Sequence, residues 1–229
     1  MLTRRKRLLF LLAYVALCLL EFYAESLLPE QPTLRLFAKP ALLTALSLYF
    51  SLETRKQRSR QTRLFQTALA FAWLGDVLLM RRDGFLSGLG AFLVMQVLYT
   101  LVFWKKPKHA NAGAVVGIVG YAVLVFLNCQ PGLGNLLLPV LVYLAVVVAM
   151  AFAAFSRRGH VSVASFRFVA VGAGLFVLSD SFIALTRFGS GPLVLDWLVM
   201  PTYAAAQYLI VEGVLGELRD SHHRNFGKV

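Results

Sequence analysis

Eight apolar stretches of about 20 residues, divided by short polar or Pro/Gly breaks, occupy most of this chain and restrict the folds open to it. They cover 8–28, 34–52, 62–80, 86–104, 112–129, 133–155, 163–185 and 193–216. A hydrocarbon core about 30 Å thick takes ~20 apolar residues of helix to cross. Every backbone N–H and C=O in such a segment must also be satisfied internally. Eight spans of that length use about 160 of the 229 residues, so no separate soluble domain fits. The expected fold is therefore all-α: a polytopic membrane helix bundle of about eight transmembrane helices, forming a single integral membrane domain over 1–229. Composition agrees. With 59% hydrophobic and 15% charged residues, the chain departs from soluble enzymes and disordered segments alike. Two cysteines, Cys18 and Cys129, make no disulfide framework.

The net charge of +12 would point to nucleic acid in a soluble protein. Here it reports orientation. When alternate connections are assigned to alternate sides, Arg4-Arg5-Lys6-Arg7, Arg55-Lys56, Lys105-Lys106 and Arg157-Arg158 share one side, and the other holds only Arg35, Arg81, Arg82 and Arg187. Basic residues collect in cytoplasmic loops, so both termini are expected in the cytoplasm. The expected location is a bacterial inner membrane. The basic start before the first span resembles a signal peptide, but Glu21, Glu25 and seven later spans favour a retained anchor.

Compared with itself, the chain suggests a four-plus-four parallel internal repeat with halves 1–110 and 111–229. Gly75-Asp76 in the third span aligns with Ser179-Asp180 in the seventh, and Gln96 in the fourth with Gln207 in the eighth. In such a repeat equivalent helices keep the same orientation. Asp76 and Asp180 would then face each other across a pseudo-axis.

Glu21, Glu25, Lys39, Asp76, Asp180 and Glu212 all fall inside the spans. Unpaired, they would together cost roughly 15–20 kcal/mol. With the first, third and seventh spans running outward, Glu21, Glu25, Asp76 and Asp180 lie in the outer part of their helices. Lys39 sits about 8 Å below the outer end of the second span, and Asp196 joins this layer from the last. Glu212, near the inner end, reads as a carboxylate reaching for the interface. One reading of the outer cluster is an ion-pair network that locks helices together, and it is the stronger one for Glu21 and Glu25, which share a helix face. For Asp76 and Asp180 a chemical role is favoured. A carboxyl group in a low-dielectric site can stay protonated as a general acid while a neighbour near Lys39 stays ionised as a base.

The fourth span aligns Phe85, Gly88, Phe92, Gln96 and Tyr99 along one face. A buried amide needs partners, which makes Gln96 its informative member. Tyr203 and Gln207 repeat that polar pair on the eighth span. Pro40, after Lys39, should kink the second span where it lines a cavity. All four His (His109, His160, His222 and His223) lie in loops or the tail, so no intramembrane His cluster can hold a catalytic zinc. No Gly-x-Ser-x-Gly elbow, phosphate-binding Gly loop or haem motif occurs. Neither a metal nor any other cofactor is expected. Carboxylate acid–base chemistry remains.

Several short motifs, in order, resemble the YhhN-type lysoplasmalogenase family, whose eukaryotic members cleave the vinyl ether bond of lysoplasmalogens. They are Lys39-Pro40; Gly75-Asp76 with Leu79; Phe85, Gly88, Phe92 and Tyr99; Gly172-Ala173, Leu175-Phe176 and Ser179-Asp180; and Thr202-Tyr203 with Ala206-Gln207-Tyr208-Leu209-Ile210. One position departs from the family, which often has His where this chain has Gln96. Gln can hydrogen-bond substrate or water but cannot shuttle a proton near neutral pH.

The resemblance implies an ether hydrolase acting on a lysophospholipid or related single-chain ether lipid, with the bilayer as its surroundings and no nucleic-acid partner. Asp76 and Asp180 are then the catalytic candidates. Lys39, Gln96, Tyr99, Tyr203, Gln207 and Glu25 form the substrate-binding set. The alternative is a proton-coupled transporter of lipid or small molecules that uses the acidic cluster, motivated by the repeat and Pro40. A purely structural or lipid-binding membrane protein is the third reading.

Overall fold

A computed structural model describes residues 3–26, 32–106 and 112–226. Among these the secondary structure is helical throughout, with no strand. The helices are α1 (Arg4–Ser26), α2 (Pro32–Thr54), α3 (Arg60–Leu79), α4 (Phe85–Phe103), α5 (Ala112–Leu133), α6 (Leu137–Ser156), α7 (Val163–Phe188) and α8 (Val194–Phe226). Each expected apolar stretch is a helix, so the chain is a polytopic helical membrane protein.

Among the described residues, five stretches are long and apolar enough to cross a membrane: Arg4–Ala24, Phe85–Phe103, Val115–Ser156, Val163–Phe188 and Leu193–Ser221. The third is 42 residues long and takes in both α5 and α6. The helices α2 and α3 are not among them; the first carries Arg35, Lys39 and Glu53, the second Arg60, Arg63 and Asp76.

Local chemistry sets the helix ends. Pro32 opens α2 at the position where a missing N–H costs nothing. Ser59 and Thr62 cap α3 reciprocally, each side chain accepting from the other's backbone N–H. Ser162 caps α7 by accepting from Ser165 N. Gly134, at φ 48°, takes the left-handed conformation that turns α5 into α6. The last helix runs ten residues beyond the expected end at 216, because nothing in 217–226 breaks a helix once Glu217 has partners.

The helices group into two compact units, Met1–Val102 and Phe103–Val229. In the first, aromatic stacking joins neighbours. Phe10 lies on Tyr49 with ring centroids 4.0 Å apart, and Phe50 meets Phe65 at 4.7 Å. Gln66 bridges α3 to α2 by hydrogen bonds with Ser47 and Ser51. Gly75 and Gly88 let α3 and α4 meet closely: a Cβ on Gly75 would sit 2.8 Å from the Phe92 ring, and one on Gly88 2.6 Å from Leu79.

In the second unit α7 and α8 make the most extensive helix contact. Small residues set their distance. A Cβ on Gly172 would come within 2.9 Å of the Ala206 carbonyl oxygen, and one on Gly213 within 2.9 Å of the Val169 backbone nitrogen. Ser165 Oγ donates to the Gly213 carbonyl at 2.6 Å, and Ser179 Oγ to the Val199 carbonyl at 3.0 Å. These contacts use the α7 face that carries Ser165, Val169, Gly172, Phe176 and Ser179, leaving the adjacent face to α5 and α6.

Candidate active site

In the first unit, Asp76 is buried on α3 at 2% exposure, next to the Gly75–Phe92 contact. Tyr14 on α1 lies within electrostatic range of both Asp76 and Tyr99 and shares a hydrogen bond with Cys18, whose own charged neighbour is Glu21. Tyr14, Cys18 and Glu21, spaced four and three apart, present one polar face of α1. Tyr99 is fully buried and stacks on Phe65 at 5.3 Å. Lys39 is buried on α2 and Glu21 on α1. The side chain of Glu25 lies outside the described residues.

Gln96 is fully buried on α4, and neither its amide nitrogen nor its amide oxygen has a hydrogen-bond partner among the described residues. An amide so placed carries a desolvation cost that a polar substrate group or water would relieve.

In the second unit, Asp180 on α7 faces α6, where Tyr143 OH donates to its Oδ2 at 2.8 Å. The two groups line a pocket between α5, α6 and α7 with about 620 Å³ of unfilled space, its open mouth included. Apart from Asp180, Tyr143, Tyr121, Cys129 and Ser181, its walls are aliphatic and aromatic. Tyr203 and Gln207, one turn apart on α8, are both buried, and the Tyr203 ring meets Phe176 edge-on at 5.7 Å. Thus Tyr203 packs on the α8-facing side of α7, while the Asp180 carboxyl is directed to the neighbouring face.

Sequence reasoning missed Tyr14 and Tyr143. Both carried a signal: Tyr14 continues the helical spacing of Cys18 and Glu21, and Tyr143 is the lone phenol in a span whose other polar residue is Ser156. A buried Tyr hydroxyl usually finds a partner.

A second polar cluster lies at the other end of the same unit. Arg157 is fully buried, donating from one nitrogen to Glu217 at 2.9 Å and from another to Ser165 Oγ at 2.9 Å. Lys105 Nζ donates to the second Glu217 oxygen at 2.7 Å. Burial pulls the Arg157 guanidinium below its ordinary value, and the Glu217 carboxylate pushes it back up. Glu212 is held by Arg219 at 3.2 Å. Among the described residues, no three His, Cys, Asp or Glu side chains cluster to hold a metal ion.

Comparison with known proteins places the chain in a family. The model of the YhhN family matches residues 34–214, which take in Lys39, Asp76, Gln96, Tyr99, Asp180, Tyr203 and Gln207. The chain belongs to the YhhN family. Its relatives include the human protein named lysoplasmalogenase TMEM86B, 29% identical over 156 residues, covering 67% of this chain and 64% of that one. Cattle lysoplasmalogenase TMEM86A is 33% identical over 156 residues, 65% of this chain and 63% of its own. A Mycobacterium tuberculosis lysoplasmalogenase is 33% identical over 164 residues, 67% and 61%. The match to this YhhN-family chain therefore spans less than two thirds of the length of each. No solved structure matches it.

Proposed function

We propose that this chain is a membrane-embedded hydrolase that cleaves the vinyl ether bond of lysoplasmalogen, or of a related single-chain ether lysolipid, to a fatty aldehyde and a glycerophospho-alcohol. The observation that carries this reading is the family match over 34–214, with relatives named lysoplasmalogenase aligned over about two thirds of the chain.

The chemistry suits carboxyl groups. Protonation of the β-carbon of the vinyl ether gives an oxocarbenium ion. Water adds to that cation and releases a proton, and the hemiacetal collapses to aldehyde and alcohol. Such a sequence needs one carboxylic acid to deliver the proton and one carboxylate to steady the cation and take the proton from water. Asp76 and Asp180 fill these two roles. Their surroundings support the assignment: Asp76 is buried with Tyr14 and Tyr99 within electrostatic range, and Asp180 sits at an apolar pocket with a phenol on one oxygen. Lys39 holds the pair in unequal protonation or meets the lipid phosphate, while Gln96, Tyr99, Tyr203, Gln207 and Glu25 position water and headgroup. Both termini face the cytoplasm, and all eight helices cross the bilayer.

The test is aldehyde release from a lysoplasmalogen by the purified full chain, with Asp76→Asn and Asp180→Asn measured beside it. Each variant should fold and lose turnover. Full activity in both would overturn the carboxyl mechanism, and no aldehyde from the parent chain would overturn the reaction.

A further inference from the structure

The pocket at Asp180 continues beyond its own walls. A second pocket, with about 680 Å³ of unfilled space including its open side, shares Ile118, Tyr121 and Val177 with the first and extends it to Gly117, Phe155 and Gly174. Together they form one groove along α5, α6 and α7. Along α5 it runs from Gly117 to Cys129, twelve residues or about 18 Å of helix. That is close to the ~15 Å half-thickness of a bilayer core, which is the reach of one lipid chain.

The two ends differ in chemistry. One end carries the Tyr143–Asp180 hydrogen bond. The other is apolar and open at its side, where Phe155 and Leu178 are exposed. Two glycines keep that half clear: a Cβ on Gly117 or on Gly174 would meet nothing within 4 Å. Elsewhere on α7 the opposite holds, since Gly172 has no room for a Cβ against α8.

We infer that the groove between α5, α6 and α7 binds the hydrocarbon chain of a single-chain lipid, with the headgroup end of the chain at Tyr143 and Asp180 and the methyl end beside Gly117 and Gly174. The occupant is one unbranched chain, because the groove is long and mostly apolar, with the Tyr121 phenol where the two pockets meet and a carboxyl group only at the Tyr143–Asp180 pair. The chain would enter sideways from the bilayer through the open half. This rests on the proposed reaction for the direction of the chain alone, since the reacting bond lies where the chain joins the headgroup.

Binding can be read without chemistry. The probe is a saturated hexadecyl ether lysophosphatidylcholine carrying a diazirine at the methyl end, photolysed with the purified full chain in phosphatidylcholine nanodiscs and mapped by mass spectrometry. Labels displaced by excess unlabelled hexadecyl ether lysolipid should fall around Gly117, Phe155 and Gly174. Gly174→Leu should reduce that labelling at least fivefold, and Gly117→Leu should do the same from the facing wall. Leucine favours helix over glycine, so neither variant is expected to unfold. Displaceable labels confined to other helices, or labelling untouched by both variants, would overturn the groove. Aldehyde release is scored separately. Labelling in the groove without aldehyde release supports the groove and removes the reaction, whereas aldehyde release with labels elsewhere removes the groove alone.

Discussion

Two carboxyl groups in the second unit show how differently a membrane protein can hold an acid. Glu217 is nearly enclosed, and each of its oxygens takes a cation, Lys105 at 2.7 Å and Arg157 at 2.9 Å. Asp180 takes a neutral phenol on one oxygen and faces a pocket with the rest of its surface. The first arrangement holds charge in place, because removing either partner strands the other in low dielectric. The second leaves part of the carboxyl facing unfilled space. Charge pairing thus gives the Glu217 cluster the character of scaffold, whereas a phenol in place of a cation leaves Asp180 open to its pocket.

The sharpest way to break this contrast is to neutralise each acid in turn. Asp180→Asn should cut aldehyde release about 10²–10⁴-fold, the usual worth of a general acid or base, with little change in thermal midpoint. Glu217→Gln should do the reverse, lowering the midpoint while folded protein still turns over. A large activity loss in both, with both stable, would erase the distinction.

Next in size is Arg157→Met. Breaking a buried pair costs about 3–5 kcal/mol, and the low end applies because Lys105 stays on Glu217. A chemical denaturation midpoint measured in nanodiscs checks it. Adding Glu217→Leu should recover most of the loss, and failure to recover would show that Arg157 acts through something other than this carboxylate.

Tyr143→Phe tests the phenol. One lost hydrogen bond is worth about 1 kcal/mol, or roughly fivefold in rate, and it should appear in kcat with KM unchanged if Tyr143 positions the Asp180 carboxyl. A change in stability alone would return Tyr143 to packing. The smallest effect belongs to the exposed Arg81–Asp83 pair at 3.6 Å, side chains 67% and 82% exposed. Asp83→Asn should leave thermal midpoint and turnover unchanged, as most surface pairs do.

Much of the fold was legible because the bilayer imposes it. A span of ~20 apolar residues satisfies its backbone as a helix, but one break moved: the fifth span, expected to end at 129, continues as α5 through Pro131 to Leu133, and the turn falls at Gly134, inside the expected sixth span. Side-chain partners were less legible, since they depend on how each helix is rotated about its axis. By sequence Arg157 is one more basic residue of a cytoplasmic loop, and Glu217 lies one position past its expected span. Only the fold, which brings the end of α6 against Glu217 of α8 and Ser165 of α7, turns them into a buried pair. Asp180 could be placed by depth and motif, but its direction toward Tyr143 and α6 was fixed by which α7 residues are small enough to meet α8. The family position held by Gln96 could be read in the sequence, while the enclosure of both its amide atoms could not.

The glycine contacts of α7 carry a mechanical consequence. With Gly172 and Gly213 at backbone-contact distance, α7 is keyed to α8 and cannot turn about its axis without collision. The direction of the Asp180 carboxyl is therefore set from the neighbouring face of α7, by the missing methyl groups of Gly172 on that helix and Gly213 on α8. Whatever yields when a chain enters must be the wall across from it, the α5–α6 hairpin that turns at Gly134.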